Sequence, residues 1–293
     1  MSDFSNKTLL VTGANGHFGR IAVEYLLAKG AKHVIAASRD PSKIEDLKAK
    51  GAETRKLDFD DAASLASAFA GVDRVLLIST DAIGKRVAQH TAAIEAAEKA
   101  GVQHIVYTSA PNANPNPDNL LGNEHYWTEQ RLATGKTGWT ALRNHLYAEL
   151  NIWGAANALA SGKSFDATGT GARNYVTRAD AARAAAGALL TLDGKSILDV
   201  TGPAPVTQQE AVRTLSNVAG KPVERVGLNG AQLLEGMLAA GMPEGMAHVM
   251  VRFDQDAAQG FHAITTSVVK DLTGSDPQPL AAFLTDNKAA LLG

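Results

Sequence analysis

The chain has no cysteine among its 293 residues, which excludes disulfides, thiolate catalysis and cysteine-ligated zinc or iron–sulfur sites. A surplus of either charge is also missing. Lys and Arg number 28 against 30 Asp and Glu, and the net charge of −2 offers no basic face to nucleic acid and no polybasic signal to anionic lipid. No apolar run approaches the roughly 18 residues of a transmembrane helix. The first residues, "MSDFSNKTLL", lack a basic segment followed by an apolar stretch, so no secretory signal is expected. The eight histidines show no metal-ligand spacing, and no metal is expected. Together these absences point to a cytoplasmic protein with neither a nucleic acid nor a membrane as partner.

What remains is ordinary for a globular protein: 45% apolar and 20% charged residues, in a chain long enough for one large or two modest domains. The informative stretch is "VTGANGHFGR", residues 11–20, where Gly13, Gly16 and Gly19 stand three apart. Glycines alone are a weak signal, so the context decides. Upstream, "KTLLVT" (7–12) is a short buried-strand run. Downstream, Phe18, Ile21, Ala22, Tyr25 and Leu26 recur at helical spacing, and Gly30 stands where the helix would stop. Strand, glycine turn and helix is the arrangement in which backbone N–H groups receive a pyrophosphate. A Cβ at Gly13 or Gly16 would hold the backbone away from phosphates, and one at Gly19 would push the helix off the strand.

The alternation continues. Strands are predicted at 33–38, 53–57, 73–79, 104–109 and 138–144, with helices at 41–50, 62–69, 84–100 and 122–133. Asp40-Pro41 caps one helix, Asp60 or Asp61 the next, and "TQQE" (207–210) reads as a capping box. Such βαβ order predicts an α/β, Rossmann-like, doubly wound parallel sheet. After Asn144 the pattern changes. A helix leaves the sheet, "SFDATGTGARNYV" reads as a Gly/Thr-rich connection, an Ala-rich helix and a short strand "SILDVT" follow, and the rest reads mostly as helix. The division expected is a nucleotide-binding domain over 1–150, also receiving the strand and helix around 175–201. Residues 151–293 form a smaller, helix-rich, mainly substrate-binding part that folds over the carboxyl ends of the strands.

The end of the second strand selects the nucleotide. Asp40 serves as a cap, which leaves Arg39, 20 residues after Gly19, and Lys43 to face the adenosine ribose. A guanidinium fork matches a 2′-phosphate, so NADP(H) is preferred over NAD(H). Asp58 and Phe59 stand where an adenine edge and face could be held, and Ser79 and Thr80 can line the diphosphate and nicotinamide ribose.

"TGANGHFG", "SRDPSK", "LDFDD", "LLIS", "HIVYTS", "EHYWTEQ" and "LRNHLY", in this order, resemble the NmrA-like branch of the atypical short-chain dehydrogenases/reductases. Within it the chain is similar to bacterial NADPH-dependent quinone oxidoreductases and triphenylmethane dye reductases. The resemblance continues through "NYVTRADAARAAAGALL" and "LTGSDPQPLAAFL", nearly to the end of the chain. It implies an NADP(H) site on Gly13, Asn15, Gly16, His17, Phe18, Arg39, Lys43, Asp58, Phe59, Ser79, Thr80, Ser109 and Asn144.

The catalytic candidates are Ser109, His125 and Tyr126. Ordinary short-chain dehydrogenases use Tyr-x-x-x-Lys, but "YWTEQ" puts Gln130 in the lysine's place, and an amide cannot depress a phenol's pKa by charge. Carbonyl reduction is weakened accordingly. Hydride transfer to a quinone suits the chain better, because the product anion is delocalised and needs little general acid. Tyr147 and Trp153 are the substrate-side candidates. Phe165, Met237, Met242, Met246 and Met250 fit either a core or an adaptable pocket. The expected partner is a small aromatic substrate such as a quinone, with an oligomer left open. Two alternatives stand: an NADP(H)-sensing regulator without turnover, and a reductase or oxygenase acting on another aromatic compound.

Overall fold

Each apolar run of the first half forms a strand because both of its faces are covered. A computed structural model of the chain describes residues 3–292. It begins β1 (Thr8–Val11), α1 (His17–Ala28), β2 (His33–Ser38), α2 (Glu45–Ala49), β3 (Glu53–Lys56) and α3 (Ala62–Phe69). Next come β4 (Arg74–Leu77), α4 (Arg86–Lys99), β5 (His104–Ser109), α5 (Leu120–Thr134) and β6 (Gly138–Asn144). The middle of the chain forms α6 (Leu150–Ser161), β7 (Lys163–Asp166), β8 (Ala172–Arg173), α7 (Arg178–Thr191) and β9 (Lys195–Val200). β10 (Val206–Thr207), α8 (Gln208–Ala219), β11 (Glu224–Gly227), α9 (Gly230–Ala239) and α10 (Glu244–Ala258) follow. The last helices are α11 (Val268–Thr273), α12 (Leu280–Asp286) and α13 (Lys288–Leu292). No helix among the described residues is long and apolar enough to cross a membrane.

The chain divides into two units. The first takes residues up to Asn144, Arg178–Val200 and Val268–Ser275. Its seven strands run in the order β3-β2-β1-β4-β5-β6-β9, all parallel. One face buries Leu10, Ile35, Val75, Leu77 and Ile105 against Leu65 and Phe69 of α3 and Ile94 of α4. Alternate residues on the other face, Leu9 and Val11, are equally buried. Two differences from the sequence reading concern boundaries. The first unit ends at Asn144 rather than at 150, because the chain leaves the sheet as soon as β6 ends, and it regains α11 from far downstream. The helix expected over 41–50 opens with a 3-10 turn at Pro41–Ile44, capped by the Asp40 carboxylate on the Ser42 N–H.

The Ala-rich α7 packs against α1 and α11, and its small side chains let the backbones come close. A Cβ on Gly187 would lie 2.2 Å from the Leu272 carbonyl oxygen. The last turn of α7 is closed by a cation from β4. Arg74, 2% exposed, donates from Nε to the Leu189 carbonyl at 2.8 Å and from Nη2 to that of Leu192, with Phe4 stacked on its guanidinium. This satisfies carbonyls that a helix end leaves without partners.

The second unit takes His145–Thr177, Thr201–Ser267 and the residues from Asp276 on. Leu146, Ala155, Leu215, Phe283 and Leu284 centre its own core, formed by α6, α8, α12 and α13. The segment read as a plain connection contains β7 and β8, and the region read mostly as helix contains β10 and β11. β7 pairs with β11 in parallel, and β8 with β10 antiparallel. Strands this short leave little trace in sequence periodicity. The expected capping box at Thr207 and Glu210 forms, and a second, at Asn229 and Gln232, was not anticipated.

Gly187→Ala tests the close packing of α7. Alanine gains up to about 1 kcal/mol of helix propensity, but overpacking against a fixed carbonyl costs ~1–3 kcal/mol. The urea midpoint is expected to fall; a rise would contradict the 2.2 Å approach.

Candidate functional site

Strand order reverses between β1 and β4, and at such a switch point the carboxyl ends of the strands leave a crevice for a ligand. The glycine turn lies there. Gly13 has φ +60°, open to glycine at little cost, and the Gly16 N–H donates to the Gly13 carbonyl at 2.9 Å. A Cβ at Gly19 would come within 2.5 Å of the Gly13 oxygen, so only glycine lets α1 start directly on the end of β1. A Cβ at Gly16 would meet only that oxygen, at 3.3 Å, and would otherwise occupy ligand space. Gly16 is the N-cap of α1, with no side-chain cap and no acidic residue in the first turn. The helix dipole and its unpaired N–H groups therefore face solvent, with Asn15, Gly16 and His17 exposed. Phe18 is different: its ring is buried at 8% exposure, which leaves only its backbone N–H for a ligand.

At the end of β2, Arg39 is exposed and makes no ion pair with any described residue, while Lys43 lies 4.0 Å from Asp40. The guanidinium fork is thus available to an anion. After β3, Asp58 accepts the Asp60 N–H and Phe59 sits half-buried, edge-on to His90. After β4, each backbone N–H finds a side chain: Ile78 donates to Thr12 Oγ1 at 2.9 Å, Ser79 to Thr108 Oγ1 at 2.8 Å and Thr80 to His90 Nε2 at 3.1 Å. The Thr80 hydroxyl donates to Gln89. This edge is rigid before any ligand arrives.

The three catalytic candidates fall into place differently. The Ser109 hydroxyl, at the end of β5, donates to Glu129 Oε1 at 2.7 Å. Arg143 of β6 grips the same carboxylate through Nε at 3.0 Å and Nη2 at 2.7 Å. Ser109 therefore orients no carbonyl with that proton, since Glu129 already holds it.

His125 is fixed by a chain of donors. Thr80 N–H points at His90 Nε2, so the His90 proton sits on Nδ1, 3.0 Å from Thr128 Oγ1, and Thr128 donates on to the Glu124 carbonyl. The Tyr107 hydroxyl lies 2.7 Å from His125 Nδ1 and shares the proton between them. Burial, and then Arg86, His90 and Arg143, hold the His125 pKa well below the imidazole range. His125 is neutral and is held in place by Tyr107. It does not titrate near neutral pH.

Tyr126 is half-buried, stacked edge-on with Trp127, and its phenol bonds to no described residue. The neighbour one turn on, Gln130, is exposed and uncharged. Asn144 is buried at the end of β6. In the second unit, Tyr147 bridges to Val176 beside its backbone, whereas Trp153 is 70% exposed on α6. Sequence reasoning missed Glu129, Arg143, Tyr107 and His90. The one available signal was polarity in the wrong place: Arg143 ends an apolar strand, and His90 interrupts an alanine-rich helix.

Comparison with known proteins agrees with this geometry. A family profile described as NAD(P)H-binding matches residues 13–191. Quinone oxidoreductase 2 of Escherichia coli (strain K12) is 34% identical over 276 residues, covering 93% of this chain and 96% of that protein. The crystal structure of the NADPH-dependent quinone oxidoreductase of Escherichia coli complexed with NADPH superposes with a TM-score of 0.89, at 32% identity, over 98% of this chain and all of that one. Citrobacter sp. triphenylmethane reductase complexed with NADP(H) gives 0.85 at 31% identity, over 95% of this chain and 99% of that one. The chain belongs to the NAD(P)H-binding family, on a Rossmann-like fold.

The buried histidines set a pH dependence of stability. Burial pushes His90 down to about 3 and His104 down to about 4, with His125 also lowered. In the unfolded chain each takes up a proton through about pH 6.5. Below that pH the unfolded state binds more protons, so the stability present above it is lost as pH falls, by up to ~1.4 kcal/mol per unit per histidine. Urea midpoints are expected to drop between pH 7 and 5.5. Equal midpoints would contradict neutral burial.

Proposed function

We propose that the protein transfers hydride from NADPH to a quinone or a similarly electron-poor aromatic compound. The observation that carries this reading is the uncapped, glycine-lined start of α1 beside an Arg39 that holds no ion pair. An anionic diphosphate completes the first, and a 2′-phosphate the second.

The residues present fit that cofactor. The N–H groups of the 13–18 turn would hold the pyrophosphate, and Arg39, with Lys43 behind it, the ribose phosphate. Asp58 and Phe59 would take the adenine. Ser79, Thr80 and Asn144 would line the path to the nicotinamide. When bound, NADPH supplies the hydride.

The acceptor follows from what the chain does with protons. No lysine stands near enough in sequence to make Tyr126 acidic, the Ser109 proton is bound to Glu129, and neutral His125 has its second nitrogen occupied by Tyr107. A ketone needs a proton as its alkoxide forms. A quinone would not: its two-electron reduction leaves a phenolate-type anion stabilised by the ring, far less basic than an alkoxide, to which water can supply the proton. The relatives named for quinone and triphenylmethane reduction support an aromatic acceptor.

The test is optical. NADPH oxidation is expected with quinones and to be absent with simple ketones; the reverse pattern would restore the carbonyl-reductase reading, and no oxidation with either would favour a cofactor-sensing role. Arg39→Ala should lower kcat/KM for NADPH by ~1–3 kcal/mol of transition-state free energy, with little change for NADH. Equal losses would return Arg39 to the solvated surface.

A further inference from the structure

The second unit contains a pocket of its own, of about 1020 Å³, formed between α6, α8, α9 and α10. Every residue lining it belongs to that unit, whereas every residue assigned to the cofactor belongs to the first. Of the aromatic and Met residues that suit an adaptable pocket, Phe165, Met237, Met242 and Met250 line it, while Trp153 and Met246 do not. Methionine walls adapt to irregular apolar ligands.

Two features mark this space as kept open. Gly154 lies inside α6 and Gly236 inside α9, where glycine costs each helix about 1 kcal/mol relative to alanine. Both line the pocket, and a Cβ at either would meet nothing within 4 Å. Neither glycine is required by backbone conformation or by a neighbouring chain segment. Their effect is volume.

The polar floor says what fits. Arg173, 8% exposed, pairs with Asp254 and donates to Gln208 Oε1 at 2.9 Å. A second pair beside it, Arg225 on Asp166, is likewise closed, with contacts of 2.7 and 2.8 Å. The buried charges cancel, and the one other charged residue of the wall, Lys163, is exposed to solvent that screens it, so a net-charged ligand gains little to offset its desolvation. Donors, however, remain. Arg173 Nε is buried without an acceptor. Tyr175 Oη accepts from Arg173 at 3.4 Å and gives its own proton to no described residue. Gln208 Nε2 reaches Ser164 only at 3.5 Å. An apolar chamber with surplus donors and no surplus buried charge calls for a neutral molecule bearing an acceptor oxygen.

We infer that the second unit binds a neutral, apolar carbonyl compound in this pocket, without need of NADP(H). The probes are benzophenone, diphenylmethane, which lacks the oxygen, and 4-benzoylbenzoate, which adds a charge. Binding is followed by calorimetry on the full chain, without cofactor. Benzophenone is expected to bind at least tenfold more tightly than either of the others. Gly154→Phe and Gly236→Phe should each abolish binding while NADPH binding is retained, which shows the fold intact. Tyr175→Phe should weaken benzophenone and leave diphenylmethane unchanged. No benzophenone binding, equal binding of the three probes, or full binding by both phenylalanine variants would overturn the proposal. Because no cofactor is present, failure here leaves the hydride-transfer reading standing, and failure of that reading leaves this one.

Discussion

The structure of the first unit depends on one close approach, the start of α1 laid directly on the end of β1. With the Gly19 Cα against the Gly13 carbonyl there is no room for even one methyl group. That contact aims the helix N-terminus out of the sheet at the switch point between β1 and β4. The electropositive end of a helix is useful only if nothing in the protein neutralises it, and here no side chain caps it. Arg39, one strand over, extends the same positive environment along the sheet edge. In the proposed reading, the preference of the edge for a phosphorylated dinucleotide follows from backbone geometry first and from a single guanidinium second.

A second level of organisation holds the edge in place. Glu129 is buried, and it is stabilised there by the Arg143 fork and the Ser109 hydroxyl together. Likewise, His90 is locked into one tautomer by the Thr80 N–H, and His125 is held by Tyr107. These residues are chemically capable ones, and in isolation each suggests catalysis. Their partners already engage part of that capacity and tie the elements together. What the site retains is a rigid, polar, preorganised surface that positions reactants, which is sufficient where the acceptor needs a hydride more than a proton.

The difference between those two levels explains what could be read beforehand. Most of strands β1 to β6 were legible because buried parallel strands are apolar, the charged edge strand β3 being read from its place in the alternation, and their helices carry local caps such as Asp40 and Asp61. The glycine turn was legible because its constraint is local. The elements that carry the catalytic candidates were legible, but the state of their side chains was not. Whether Ser109 has a free proton depends on Glu129 and Arg143, which are 20 and more residues away in sequence. The same holds in the second unit. β7 and β11 are four residues each and pair across 57 intervening positions, so no periodicity announces them. Trp153 shows the limit of residue type as a guide: a large aromatic on the right helix points to solvent.

The central claim is that hydride transfer proceeds without a proton supplied by the protein. It is tested most directly by isotope effects in a single turnover of the enzyme with NADPH and a quinone. The account predicts a primary effect when the transferred hydrogen of NADPH is deuterium, and no effect on that step when the solvent is deuterium oxide. A solvent effect on the same step, removed by substituting Tyr126 or His125, would contradict it and place a proton donor in the site.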